Sequence, residues 1–299
     1  MKVLIVGSVA LDTIETPAGK AVEVLGGAAT YSSVACSFFA SAGIVAVVGE
    51  DFPAKYEKLL RARGIDTSGL ARLPGRTFRW GGKYLKDVNK RETLFTELNV
   101  FEKFSPELPK PYRDAEYVFL ANIHPALQLH VLDQVKSPRL IVCDTMNLWI
   151  NTARKDLEKL IPRVDVLMLN DEEARLLTGE FNLAKAGHSL LKQGLLAAVI
   201  KRGEHGATVF HRRGVFFAPA YPLEDVKDPT GAGDTFAGGF IGYLAKSGRK
   251  DFAELKRAAV YGSVLASFAV QEFSLKRLLK ITRADINRRF KEFHQLVSF

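Results

Sequence analysis

Asp228-Pro229-Thr230-Gly231-Ala232-Gly233-Asp234-Thr235-Phe236 runs directly into Ala237-Gly238-Gly239-Phe240-Ile241-Gly242-Tyr243-Leu244-Ala245. From about Gly233 onward the residues are small or apolar at helical spacing, which reads as a glycine-rich loop entering the first turn of a buried helix. Such a turn has backbone N–H groups without partners, and the macrodipole places about half a positive charge there. Gly231 and Gly233, lacking side chains, let a phosphate approach those groups closely. The segment is therefore an expected anion site. Asp234 is its unusual member, because a carboxylate there repels a phosphate unless it performs chemistry. A general base for an attacking hydroxyl performs such chemistry. The plain alternative is a helix N-cap or first-turn acid.

Working outward, the 299 residues are 47% hydrophobic and 25% charged, the composition of a folded globular chain with enough apolar material for one large core. The formal charge is +9, but Lys110 to Arg113, Arg212-Arg213 and Arg288-Arg289 are short scattered groups with no aromatic interleaving. A basic surface suited to an anionic nucleotide is expected, and no nucleic-acid partner. Cys36 and Cys143 each lie in an apolar run and read as buried free thiols. Met1-Lys2 leads straight into a strand and no apolar run approaches ~18 residues, so a cytoplasmic chain with no membrane partner is expected.

Val3 to Val6 reads as a buried strand ending at Gly7-Ser8. Asp12 follows it, where ligands of open α/β sheets bind and where a turn-forming Asp is equally at home. Gly26-Gly27 opens a helix of small residues running to Cys36; Ile44 to Val48 is a second buried strand, followed by a helix from about Pro53 to Arg63 closed by Gly64. Residues 73 to 100 break the rhythm: Thr77 to Leu85 and Glu92 to Leu98 are strand-like, with a turn at Asp87 to Lys90, and suggest a small sheet off the main body. Alternation puts Phe78 and Trp80 on one face of that strand and Arg79 on the other. The βα alternation then resumes with strands at Tyr117 to Ala121, Leu140 to Cys143 and Val164 to Leu169, and helices near Ala126 to Lys136 and Thr152 to Leu160, which argues for a parallel sheet. Asn122 and His124, then Asp144, Asn147 and Trp149, follow two of these strands. Asn170-Asp171-Glu172-Glu173 starts a helix ending at Thr178-Gly179, and the dipole alone accounts for most of its acids. Leu196 to Ile200 is another strand, leading into Lys201-Arg202-Gly203-Glu204-His205-Gly206 and a hairpin; apolar Phe252 to Val270 and amphipathic Arg283 to Gln295 complete the helices.

The string D-P-T-G-A-G-D-T-F-x-x-G-F at 228–240, with the other motifs in the same order over nearly the whole chain, resembles the ribokinase-like family of carbohydrate and nucleoside kinases, the phosphofructokinase-B type. The resemblance implies an α/β fold, a three-layer sandwich around a mainly parallel sheet. It would be a single domain over 1–299, with a small β lid inserted from about 13–25 and 73–100. It implies ATP-dependent phosphoryl transfer to a hydroxyl of a small sugar, polyol or nucleoside, with Asp234 as general base and Gly231, Ala232 and Gly233 around the transferring group. Substrate contacts fall on Asp12, Gly26, Gly27, Tyr31, Arg79 and Asn122, and nucleotide contacts on Asn170, Lys201, Gly203, Gly206 and Thr230. Glu173 would order Mg2+ through water. The lid is also compatible with a homodimer.

Two departures stand out: Tyr31 replaces an Asn of many members, and Val270-Gln271-Glu272-Phe273 replaces a glycine-containing turn that helps bind a monovalent cation. The acceptor and potassium dependence therefore stay open. No Walker P-loop or dinucleotide fingerprint explains the glycines, which argues against a dehydrogenase. A non-catalytic sugar- or nucleotide-binding protein on the same fold is the alternative.

Overall fold

The computed structural model describes residues 1–88 and 90–298; Asn89, within the turn expected at 87–90, lies outside the described residues. Among the described residues thirteen strands occur in chain order: β1 (Val3–Val6), β2 (Ala10–Thr16), β3 (Gly19–Gly26), β4 (Ala42–Gly49), β5 (Asp66–Leu73), β6 (Arg79–Tyr84), β7 (Arg91–Glu97), β8 (Tyr117–Leu120), β9 (Leu140–Asp144), β10 (Val166–Asn170), β11 (Ala197–Lys201), β12 (Ala207–His211) and β13 (Gly214–Ala218). Nine form one sheet in the order β13-β12-β11-β10-β9-β8-β1-β4-β5, parallel from β11 to β5 and antiparallel at the β12–β13 end. The other four form a second sheet, β3-β2-β6-β7.

Strand β1 shows why the large sheet needs helices on both faces. Its four residues are fully buried, and pleating sends Val3 and Ile5 into one core and Leu4 and Val6 into the other. The first core is packed by α1 (Ala28–Ser37), α2 (Ala54–Ala62), α8 (Ala232–Ser247), α9 (Phe252–Ala269) and α10 (Arg283–Val297). The second is packed by α3 (Pro125–Gln134), α4 (Asn147–Thr152), α5 (Arg154–Leu160), α6 (Asp171–Thr178) and α7 (Leu183–Leu191). This is the expected three-layer arrangement. Among the described residues no helix is long and apolar enough to cross a membrane.

The axis of the first core is the contact of α1 with α8. A Cβ on Gly238 would lie 2.1 Å from the Ser32 carbonyl oxygen and 2.5 Å from Ser32 Cα, so the two backbones touch where no side chain fits. Gly238→Ala must push α1 away, and with it the loop that carries the Gly26-Gly27 pair. The expected cost is about 1–3 kcal/mol of stability or more, read as a lowered urea midpoint; an unchanged midpoint would contradict the contact.

β5, α4 and α7 were not foreseen. β5 is a half-exposed edge strand beginning Asp-Thr-Ser-Gly, α4 precedes the helix expected near Thr152 to Leu160, and α7 fills the interval before β11. The lid begins earlier than expected, at Ala10, so Asp12 belongs to lid strand β2 and not to a loop after β1. Strand β6 lies between β2, to which it is parallel, and β7, to which it is antiparallel, joining chain segments from before and after β4.

Candidate active site

The glycine turn is fixed from below. Buried Asp228 accepts the Thr230 amide (2.9 Å) on one carboxylate oxygen and the Ser274 amide (2.9 Å) on the other, so the glycine loop and the segment following α9 hang on one side chain. Gly231 then takes φ +73° as the N-cap of α8. A side chain there would be strained, and its Cβ would meet the Tyr31 ring at 2.4 Å. The Thr235 amide donates to the Gly231 carbonyl and the Ala232 amide to the Pro229 carbonyl, at 2.8 and 3.2 Å. Ala232 thus already has an acceptor, whereas none among the described residues is recorded for the amides of Gly231 and Gly233.

Asp234 sits in the first turn of α8. Burial, reinforced by the charge of Asp144, pushes its carboxyl up to about 6, against the pull of Lys201 and Arg91. Lys201, at the end of β11, lies beside it: a Cβ on Gly233 would come within 3.3 Å of the Lys201 Nζ. That ammonium is paired with Asp144 Oδ2 at 2.7 Å, the two side chains 18% and 5% exposed. Burial works against the charge on Lys201, but Asp144 and Glu173 outweigh it and its pKa is raised.

Across the turn, a Cβ on Gly26 would collide with the Asp12 carboxylate at 1.9 Å. Gly26 therefore makes room for an acid. Burial, with the nearby charges of Asp228 and Asp234, pushes Asp12 up to about 8. Tyr31 lies in the same space; its hydroxyl is buried without a hydrogen-bond partner among the described residues, and burial and the surrounding acids raise its pKa. The lid is shut over these groups: the Thr230 hydroxyl donates to the Tyr84 hydroxyl at 3.1 Å, and the Thr16 hydroxyl to the Lys227 carbonyl at 2.8 Å.

Glu173 completes a capping box with Asn170, accepting its amide at 2.7 Å and returning a backbone N–H to the Asn170 side chain at 2.8 Å. It is also buried, and that burial pushes it up to about 7 beside Lys201 and Asp144. Gly203 and Gly206 both have positive φ, and Gly206 packs against the Ala218 carbonyl at the end of β13.

Arg79, expected at the substrate, lies on the other face of β6. Its guanidinium is paired with Glu23 and Asp51, both at 2.8 Å, and donates to the Thr77 carbonyl, which ties the lid to the loop after β4. Asn122 accepts the Trp149 indole N–H (2.9 Å) and donates to Met146 Sδ (3.1 Å), while His124 caps α3. The sequence reading missed Asp144 as the partner of Lys201, and Tyr84 and Arg91 on the lid. A buried lysine beside a helix N-terminus, which always calls for a counter-charge, was the available signal for Asp144.

A family model described as pfkB family carbohydrate kinase matches residues 2–280. The chain is 32% identical over 247 residues to the cytidine kinase of Thermococcus kodakarensis, covering 81% of this chain and 87% of that one. It is 24% identical over 318 residues to the inositol 3-kinase of Arabidopsis thaliana, covering 97% and 81%. Among solved structures, the Burkholderia thailandensis nucleoside kinase in complex with inosine superposes with a TM-score of 0.79 over 98% of this chain and 99% of that one, at 22% identity. The aminoimidazole riboside kinase of Salmonella enterica, complexed with its riboside and an ATP analogue, gives 0.73 over 97% and 100%, at 20% identity.

Proposed function

The chain belongs to the pfkB family of carbohydrate kinases, with the ribokinase-like fold, and from that premise we propose that it transfers the γ-phosphoryl group of ATP to a hydroxyl of a nucleoside, with Asp234 as the base. The observation that carries the chemistry is the convergence of a buried acid poised near neutrality, a glycine turn with free amides and a paired lysine at the start of α8. Asp234 takes the proton of the acceptor hydroxyl as its oxygen bonds to phosphorus and the bond to the leaving ADP oxygen breaks. The amides of Gly231 and Gly233, with Lys201, face the charge that develops on the phosphoryl oxygens. Asp12 holds the acceptor from the lid side.

The residues fit a magnesium nucleotide. Glu173 is a buried acid held near neutrality beside Lys201, ready to ionise against a dication, and magnesium bound largely through water needs few direct ligands. When bound, the metal would neutralise charge on the β- and γ-phosphate oxygens. At the expected monovalent-cation turn, the Val270 carbonyl already accepts the Lys227 and Asp228 amides, and Lys227 pairs with Glu272 at 2.9 Å. These contacts support potassium-independent turnover. Exposed Val22, Leu94 and Leu98, with β7 at the sheet edge, support pairing of two lids in a dimer.

The nucleoside assignment is supported by the relatives. The test is ADP release from Mg-ATP against cytidine, other nucleosides, sugars and inositols. Turnover with a nucleoside and none with free sugars or inositols is the expected result; preference for an inositol or sugar would replace this acceptor, and ATP binding without turnover on any member would favour the non-catalytic reading.

A further inference from the structure

The inner face of the lid carries one charged side chain that the chemistry above does not use. In the β6–β7 pairing Arg91 stands directly opposite Tyr84, so both side chains leave the sheet on the same side. Tyr84 identifies that side, because its hydroxyl meets Thr230 of the glycine turn. The Arg91 guanidinium lies over the Trp80 ring, 5.2 Å from its centroid. Trp80 can lie along β6 only because residue 82 is glycine: a Cβ there would fall 2.0 Å from the indole. The lid thus builds an aromatic seat that aims a cation at the start of α8.

From the body side Lys201 approaches the same turn, and the helix itself contributes its positive end. Lys201 is already answered by Asp144 at 2.7 Å, whereas Arg91 has no carboxylate in ion-pair contact among the described residues, so the lid brings the turn a cation without a counter-ion of its own. Resting on the phosphoryl-transfer reading, we infer that Arg91 is a lid-borne catalytic residue that binds the γ-phosphoryl group of the nucleotide opposite Lys201 when the lid is shut. Arg91 exchanges no proton in the reaction; it supplies charge-assisted hydrogen bonds to the equatorial oxygens while the acceptor proton goes to Asp234. The electrostatics agree, since the Arg91 charge acts on the Asp234 carboxyl.

Arg91 is exposed on an edge strand, so Arg91→Met is expected to keep the wild-type melting temperature. Calorimetric titration with Mg-AMP-PNP and with Mg-ADP separates the γ-group from the rest of the nucleotide. Arg91→Met should bind Mg-ADP as wild type does and Mg-AMP-PNP about 10-fold or more weakly, with Arg91→Lys recovering part of the difference. Equal affinity ratios in wild type and Arg91→Met would overturn the inference, as would equal weakening of both ligands. With a competent acceptor, Arg91→Met should lower kcat about 10²- to 10³-fold at unchanged acceptor KM. A raised acceptor KM with kcat retained would move Arg91 to the acceptor and also overturn it. Wild-type protein without turnover on any acceptor would defeat the phosphoryl-transfer reading, while the binding ratio would still decide the placement of Arg91.

Discussion

Asp234→Asn is expected to bind Mg-ATP at least as tightly as wild type and to lose a factor of about 10² to 10⁴ in kcat. The amide has the shape of the acid but cannot take a proton from the acceptor, and its neutrality removes a charge that repels the nucleotide at the start of α8. The same group sets the acid limb of the pH profile. Its carboxyl is held near 6, above the ordinary value of 3.8, mainly by burial. Below that pH it is protonated and cannot act as a base, so kcat/KM should rise with pH through about 6 and level off above it. Stability runs the other way. Because the folded-state pKa is raised, the contribution of this group is full below the unfolded value and is lost as pH rises through about 6. Asp234→Asn should therefore be more stable than wild type at neutral pH and no different in strong acid. Near-normal turnover in the variant would remove Asp234 from the role of base.

Asp144→Ala is expected to cost about 3–5 kcal/mol of stability, because it leaves the Lys201 ammonium in a nearly buried position without its 2.7 Å partner. Lys201→Met together with Asp144→Ala should recover much of that loss, since no uncompensated charge remains. The single variant also reports on Asp234. Asp144 is among the charges that raise the Asp234 carboxyl, and a Lys201 released from its pair turns toward the remaining acids. The acid limb of kcat/KM should accordingly move to lower pH. Urea unfolding and a pH profile of the same preparation check both parts; a loss below about 1 kcal/mol would show that water, and not Asp144, carries the lysine.

The parts of the fold legible in the sequence were those in which one physical cause dominates. Strands such as Val3–Val6 and Ala197–Lys201 are buried on both faces and read as unbroken apolar runs, and the Gly64 cap of α2 is set by its φ of +73°. β5 stayed hidden because an edge strand of Asp, Thr, Ser and Gly has neither alternation nor continuity. At the site, the alternation of Phe78, Arg79 and Trp80 already said that arginine and tryptophan part ways. It did not say which face looks inward, because that depends on the pairing of β6 with β2 and on the acids that receive Arg79. Asp144 and Lys201 are brought together only by the side-by-side order of β9, β10 and β11, and Arg91 is set opposite Tyr84 only by a hairpin register. Contacts set by topology leave no periodicity to read.

The lid is woven from two pieces of chain, with β2 and β6 in parallel contact although β4 and β5 of the large sheet lie between them in sequence. A parallel pair cannot close by a hairpin, so this sheet can assemble only after the intervening strands have been laid against β1. The lid is also the part that must move away from the body to admit a substrate, and its backbone amides should be the first to exchange with solvent.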